Sequence, residues 1–218
     1  MPYGNKTKDE LIGYGREILN FMRNKGVKAV VIACNTSSAL AYETLKSEFN
    51  FPIFPIIQSC AEVIAKENLS KIGVFATVGT VSSGVCTKEL QKYNPNLQVK
   101  EIACPDWVEI VEKGMINTQQ ARENVEKHMN EMMEFSPDKI ILGCTHYPYL
   151  LSILENYAPR DKFIDPADIF TDYIGEHIQH NSLKNIGTED FYVSSSPNEF
   201  VQNAKQYHFE FHNLLSYH

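Results

Sequence analysis

The 218-residue sequence is poor in cysteine, with five residues at 34, 60, 86, 104 and 144, an odd number that includes no C-x-x-C pair. Such spacing excludes the framework of a small disulfide-stapled domain. The opening Met1-Pro2-Tyr3-Gly4-Asn5-Lys6 lacks the apolar stretch of a signal peptide, so the expectation is a cytoplasmic protein with reduced thiols. No apolar run approaches the ~20 residues that span a bilayer. Positive charge is also short: 20 Lys and Arg face 27 Asp and Glu, and the formal net charge is −7. Without a basic tract, neither nucleic acid nor an anionic membrane is expected as the main partner. Linkers rich in Pro, Gly or Ser, short-period repeats and low-complexity segments are missing as well. What is present is an ordinary globular composition, 43% hydrophobic and 22% charged, enough for a substantial core.

Thr7 and Glu10 are spaced as a capping box. After them Leu11, Ile12, Ile18, Leu19 and Met22 recur at helical spacing toward a stop at Gly26, although Gly13 and Gly15 weaken the helix. Val27 to Ile32 is rich in β-branched residues, as expected of a central parallel strand buried on both faces. Further strands are expected at Ile53 to Ile57, Lys71 to Ala76, Leu97 to Ile102, Lys139 to Leu142, Phe163 to Asp165 and Phe191 to Val193. Helices are expected at Ser37 to Phe49, Ala61 to Glu67, Thr80 to Tyr93, Gln119 to Phe135, Tyr147 to Tyr157, Ala167 to about His180 and Pro197 to Tyr207. The tail from Phe209 to His218 shows no clear period. Alternation of this kind argues for an α/β fold of βαβ units with mainly parallel sheets.

Two segments echo each other: Ala33-Cys34-Asn35-Thr36 and Gly143-Cys144-Thr145-His146. Each follows an apolar strand and precedes a helical pattern, which puts a cysteine at the carboxyl end of a strand, where open α/β sheets hold ligands. A thiol at a helix N-terminus is expected to have a lowered pKa. Asn35, Thr36, Ser37 and Ser38 offer capping side chains, and the same backbone could hold a carboxylate. Taken alone, Cys34 reads first as a small buried core residue. Cys144 shares these features and has His146 two residues on, a candidate acid, base or orienting group. Zinc is the competing reading of a Cys and a His, but a structural site needs four ligands and the neighbourhood supplies no others, so no metal is expected. As a pair, two thiols allow proton removal from one face of a carbon and return from the other.

Val31-Ile32-Ala33-Cys34-Asn35-Thr36 and Leu142-Gly143-Cys144-Thr145-His146-Tyr147-Pro148 resemble the two signature segments of the glutamate racemase family, within the aspartate/glutamate racemase superfamily. Pro2-Tyr3-Gly4-Asn5-Lys6 is similar to its Pro-Tyr-Gly substrate segment. Cys104-Pro105-Asp106-Trp107-Val108 with Glu112, and the loop from Ala76 to Gly84, also match. The resemblance implies cofactor-independent interconversion of L- and D-glutamate for peptidoglycan precursors. Cys34 and Cys144 would be the acid/base thiols, and His146 would support Cys144. Tyr3, Gly4, Asn35, Thr36, Thr145, Thr77, Thr80 and Glu112 would bind substrate. Thr80 is equally explained as a helix N-cap, and Glu112 as a solvated helix charge. Cys60, Cys86 and Cys104 fall outside the matched positions and read as packing residues.

The resemblance further implies two similar domains with the site in the cleft between them. Residues 1–58 and 170–218 would form the first and residues 59–169 the second; family members often form homodimers, and the small-molecule substrate is the one other partner expected. Family members begin with a strand ending in Asp-Ser-Gly-x-Gly-Gly, whose Asp and Ser bind substrate and assist the first cysteine. This sequence opens at the Pro-Tyr-Gly segment. The expectation is therefore a truncated chain whose first domain lacks a core strand, with Cys34 deprived of its carboxylate and activity weak or lost. Aspartate racemisation, or a binding protein derived from an inactive remnant, are the alternatives.

Overall fold

The computed structural model describes residues 3–178, 188–205 and 214–216, and its internal contacts divide the chain into Met1–His177 and Ile178–His218. In the first unit the capping box forms as its spacing requires. Thr7 Oγ1 accepts the Glu10 N–H at 3.3 Å, and Glu10 Oε2 accepts the Thr7 N–H at 2.9 Å. Helix α1 (Lys8–Asn24) runs from this cap to Gly26, whose φ of +71° gives the left-handed exit that ends it. Its Leu11 and Leu19 pack with Ala41, Leu45 and Phe49 in a small core.

Strand β1 (Val30–Ile32) leads through Cys34 into α2 (Asn35–Leu40) and α3 (Tyr42–Leu45), then to β2 (Ile53–Pro55) and α4 (Ile56–Ile64). β1 and β2 pair in parallel, with Val30 opposite Ile53. The expectation that β1 is buried on both faces is corrected here. Among the described residues β1 pairs with β2 alone, and Val31 is 41% exposed because no further layer covers that side. The strand expected through Ile57 is also shorter. The chain turns helical at Ile56, since Ile56, Ile57, Cys60, Ala61 and Ile64 recur at helical spacing and bury one face.

The larger sheet is built from β3 (Lys71–Ala76), β4 (Gln98–Ala103), β5 (Lys139–Gly143) and β6 (Phe163–Ile164). Its order is β4-β3-β5-β6, with every pairing parallel. Between β3 and β4 the expected single helix is split into α5 (Val78–Ser83) and α6 (Val85–Tyr93), because Gly84 takes a left-handed φ of +63°. Between β4 and β5 lie α7 (Trp107–Glu112) and α8 (Gln119–Glu134). The helix expected after Cys144 begins instead as a 3₁₀ turn, Tyr147–Leu150, followed by the short α9 (Leu151–Leu154). Helix α10 (Pro166–His177) closes the unit against α4. Register aligns Ala76 with Ala103 on one side and Gly143 on the other. The residues after these three strands therefore leave the sheet along one edge.

The second unit contains β7 (Phe191–Val193), α11 (Pro197–Lys205) and β8 (Leu214–Ser216), with β7 and β8 parallel. The expected strand at 191–193 is present, and the period-free tail carries β8. Among the described residues, no helix is long and apolar enough to cross a membrane.

Candidate active site

Chain geometry at the ends of β1, β3 and β5 gathers the site. Cys34 is half-buried at the N-cap of α2, and its carbonyl accepts the Ser38 N–H at 2.9 Å. Asn35 and Thr36 follow it into the interior and are buried. Ser38 reaches across to α4, where its hydroxyl donates to Gln58 Oε1 at 2.7 Å and accepts the Ile57 N–H at 3.2 Å. That pair of bonds fixes the start of α2 and hence the direction in which Cys34 is presented.

Cys144 leaves β5 directly after Gly143. A Cβ at Gly143 would stand 2.9 Å from the Phe75 carbonyl oxygen, so the absence of a side chain lets β5 lie against β3 at the point where the thiol departs. The thiol is buried, and burial pushes its pKa up to about 12; a hydrogen bond with the His146 backbone lowers it by less, while the nearby Cys34 raises it further. The expectation of a helix-lowered thiol is thus overturned at Cys144. Only a 3₁₀ turn follows it, and loss of water outweighs the local dipoles.

His146 stands between two partners. Its Nδ1 lies 3.7 Å from Cys144 Sγ, and its Nε2 lies 2.7 Å from Glu112 Oε1. Glu112 reaches it from the last turn of α7; the sequence reading placed Glu112 on a helix without giving that helix bounds, and took its charge as solvated. The signal was available: Trp107, Val108, Ile110 and Val111 repeat on one side of the segment and are buried. Trp107 anchors that helix against Phe75 at 4.8 Å and Tyr147 at 4.9 Å between ring centroids. Tyr147 in turn donates its hydroxyl to the Cys104 carbonyl at 2.9 Å.

These residues enclose a cavity of about 230 Å³. Its walls include Cys34 with Asn35 and Thr36 on one side and Cys144 with Thr145 and His146 on the other. Tyr3, Gly4, Thr77, Val108 and Glu112 complete it. A larger hollow of about 320 Å³ adjoins it through Gly4, Thr77, Val108 and Glu112. Of the residues expected at the site, Thr80 alone is absent from the cavity wall. It is fully buried, and the N-cap of α5 is Thr77, not Thr80. Cys60, Cys86 and Cys104 are buried in the core, where loss of hydration raises all three thiols, Cys60 to about 12. Among the described residues, no group of three or more His, Cys, Asp and Glu side chains is placed to hold a metal ion.

Thiols facing a common space, hydroxyl and amide groups around them, and an imidazole–carboxylate pair behind one thiol suit acid/base chemistry on a small polar molecule. Comparison with known proteins agrees. The family profile described as Asp/Glu/Hydantoin racemase matches residues 5–174. A glutamate racemase from Thermoanaerobacter sp. (strain X514) is 36% identical over 210 residues, covering 94% of this chain and 78% of that protein. The solved structure of glutamate racemase isoform RacE1 from Bacillus anthracis superimposes with a TM-score of 0.91 at 27% identity, over 100% of this chain and 84% of that one. Glutamate racemase from Francisella tularensis in complex with D-glutamate gives 0.88 at 26% identity, with the same coverage of 100% and 84%.

Proposed function

The chain belongs to the Asp/Glu/Hydantoin racemase family, and from that premise we propose that it interconverts L- and D-glutamate using two thiols. The observation that carries the reading is the shared cavity. Cys34 and Cys144 line it together, with Asn35, Thr36, Thr77 and Thr145 around them.

One sulfur, as thiolate, takes the α-proton: an S–H bond forms, the Cα–H bond breaks, and the electron pair stays on carbon, delocalised into the adjoining carboxylate. The opposite thiol then gives its proton to the other face of the carbon and is left as thiolate. The product departs with the protonation of the two sulfurs exchanged, and no proton is consumed overall. Burial favours the thiol form of Cys144 in the resting protein, which suits that side chain to return a proton to the carbon. His146 and Glu112 orient the Cys144 side. Tyr3, Gly4, Asn35, Thr36, Thr77 and Thr145 hold the substrate, whose carboxylates suit the N–H and O–H donors there.

Glutamate is favoured over aspartate by the names of the relatives and by the D-glutamate held in the Francisella structure. The same reading places the protein in the cytoplasm, supplying D-glutamate for peptidoglycan precursors. Incubation in deuterated water with each enantiomer of glutamate and aspartate tests it. Exchange at the α-carbon of glutamate alone is the expected result. Exchange of aspartate alone would move the assignment to that substrate, and exchange of neither would leave a binding protein.

A further inference from the structure

Threonine hydroxyls form a chain from the cavity wall into the core. Thr36 Oγ1 lies 2.9 Å from Thr77 Oγ1, and Thr77 Oγ1 lies 3.0 Å from Thr80 Oγ1. Thr77 Oγ1 also accepts the Thr80 N–H at 3.4 Å as the cap of α5. A hydroxyl has one proton and two lone pairs. With one lone pair committed to the N–H, Thr77 must accept from one neighbouring hydroxyl and donate to the other. The chain therefore runs in one of two directions.

If Thr36 donated inward, the last proton would sit on Thr80. That side chain is fully buried, and among the described residues its hydroxyl oxygen has no partner other than Thr77. A buried donor without an acceptor is costly. In the reverse direction Thr80 donates to Thr77, Thr77 donates to Thr36, and the Thr36 proton is left for the cavity that Thr36 lines. Every proton then has a place to go once an anionic oxygen occupies the cavity.

We infer that Thr80 is a positioning residue that holds Thr36 as a hydrogen-bond donor toward a substrate carboxylate. It acts through Thr77 and without touching the ligand. The inference deepens the proposed function and rests on it. Removal of the Thr80 hydroxyl leaves one lone pair of Thr77 open, so the Thr36 proton is no longer confined to the cavity side and Thr36 is no longer held as a donor.

The test compares the intact protein with Thr80→Val, Thr80→Ser, Thr36→Val and the Thr36→Val/Thr80→Val double variant. D-glutamate binding is followed by calorimetry, racemisation by KM and kcat, and folding by circular dichroism. Thr80→Val is expected to weaken binding and raise KM by about tenfold, the scale of one hydrogen bond to a charged group, with kcat falling much less. Thr80→Ser should restore both. The double variant should lose no more than Thr36→Val alone, because both changes remove the same proton from the cavity. A Thr80→Val protein that folds and binds D-glutamate within twofold of the intact protein would overturn the inference, as would additive losses in the double variant or no rescue by serine. If the intact protein itself binds no glutamate, the proposed function fails, and the inference with it.

Discussion

Glu112 Oε1 and His146 Nε2 stand 2.7 Å apart across the gap between α7 and the segment after β5. The contact leaves the other ring nitrogen facing Cys144 at 3.7 Å, so the carboxylate sets the orientation of the ring beside the thiol. Glu112→Gln is expected to lower kcat/KM by roughly 10- to 100-fold, toward the low end of what a general acid/base contributes. The loss must be equal in both directions, because two enantiomers have equal free energy in water. Glu109→Gln, one turn away and paired with Lys113 on the surface, serves as the control. A Glu112→Gln protein within twofold of the original would show that the pair is only structural.

Accessibility separates the two thiols. Cys34 is half-buried, whereas Cys144 is buried with a thiol raised to about 12. Iodoacetamide at neutral pH should modify Cys34 first. Modification of Cys144 should remain slow and keep accelerating as the pH climbs toward that value, since the thiolate is the reactive form. Peptide mass spectrometry over time resolves the order, and faster labelling of Cys144 at neutral pH would contradict the burial argument.

Alkaline pH should destabilise the protein through its buried thiols. Burial raises Cys60 and Cys144 from the 9.0 of a free thiol to about 12. The folded state keeps these protons to higher pH than the unfolded chain does. Their stabilisation is therefore complete below about 9 and is lost as pH rises toward 12. Within that window each thiol removes roughly 1.4 kcal/mol per pH unit. Urea unfolding across this range should show a steep fall, shallower in Cys60→Ala. A flat profile would mean that these thiols are hydrated in solution.

Gly143→Ala should be costly although it adds one methyl group. The new Cβ would meet the Phe75 carbonyl oxygen at 2.9 Å, Val74 Cγ1 at 3.2 Å and Ala76 Cβ at 3.3 Å, all of them on the neighbouring inner strand β3. Overpacking of this kind costs about 1–3 kcal/mol. Because Cys144 is the next residue, kcat should fall along with the urea midpoint. Full stability and activity would show that β5 can shift without disturbing the thiol.

Trp107 is fully buried between Phe75, Tyr147 and His128 and begins the helix that ends in Glu112. Trp107→Ala should destabilise the fold by about 3–5 kcal/mol. Trp107→Phe should cost less, since the indole Nε1 is buried without a hydrogen-bond partner among the described residues. Thermal unfolding ranks the two variants, and equal losses would argue against packing as the main term.

Most of the larger sheet was legible in the sequence. β3 and β5 are runs of buried apolar residues, and their period and flanks read as parallel strands. The cysteine segments could be found because each follows such a run. The short elements were harder to read. Ile56 and Ile57 look like strand residues until their partners at Cys60, Ala61 and Ile64 are packed. α7 has only six residues, and its role depends on Trp107 finding Phe75 and Tyr147, contacts between distant parts of the chain. Likewise, no local pattern tells that Thr80 sits behind Thr77 or that Cys144 loses its water. Both depend on what surrounds the residue in space.

The alignment of Ala76 with Ala103 and Gly143 has an evolutionary meaning. Thr77, Cys104 and Cys144 each follow a strand whose own residues do not line the cavity, so changes at the lining residues beyond that edge can reshape the cavity while the sheet keeps its packing. Selection on substrate length then acts on those lining residues, and selection on stability on the strands and on anchors such as Trp107. A lineage could trade one dicarboxylic amino acid for another without renegotiating its core.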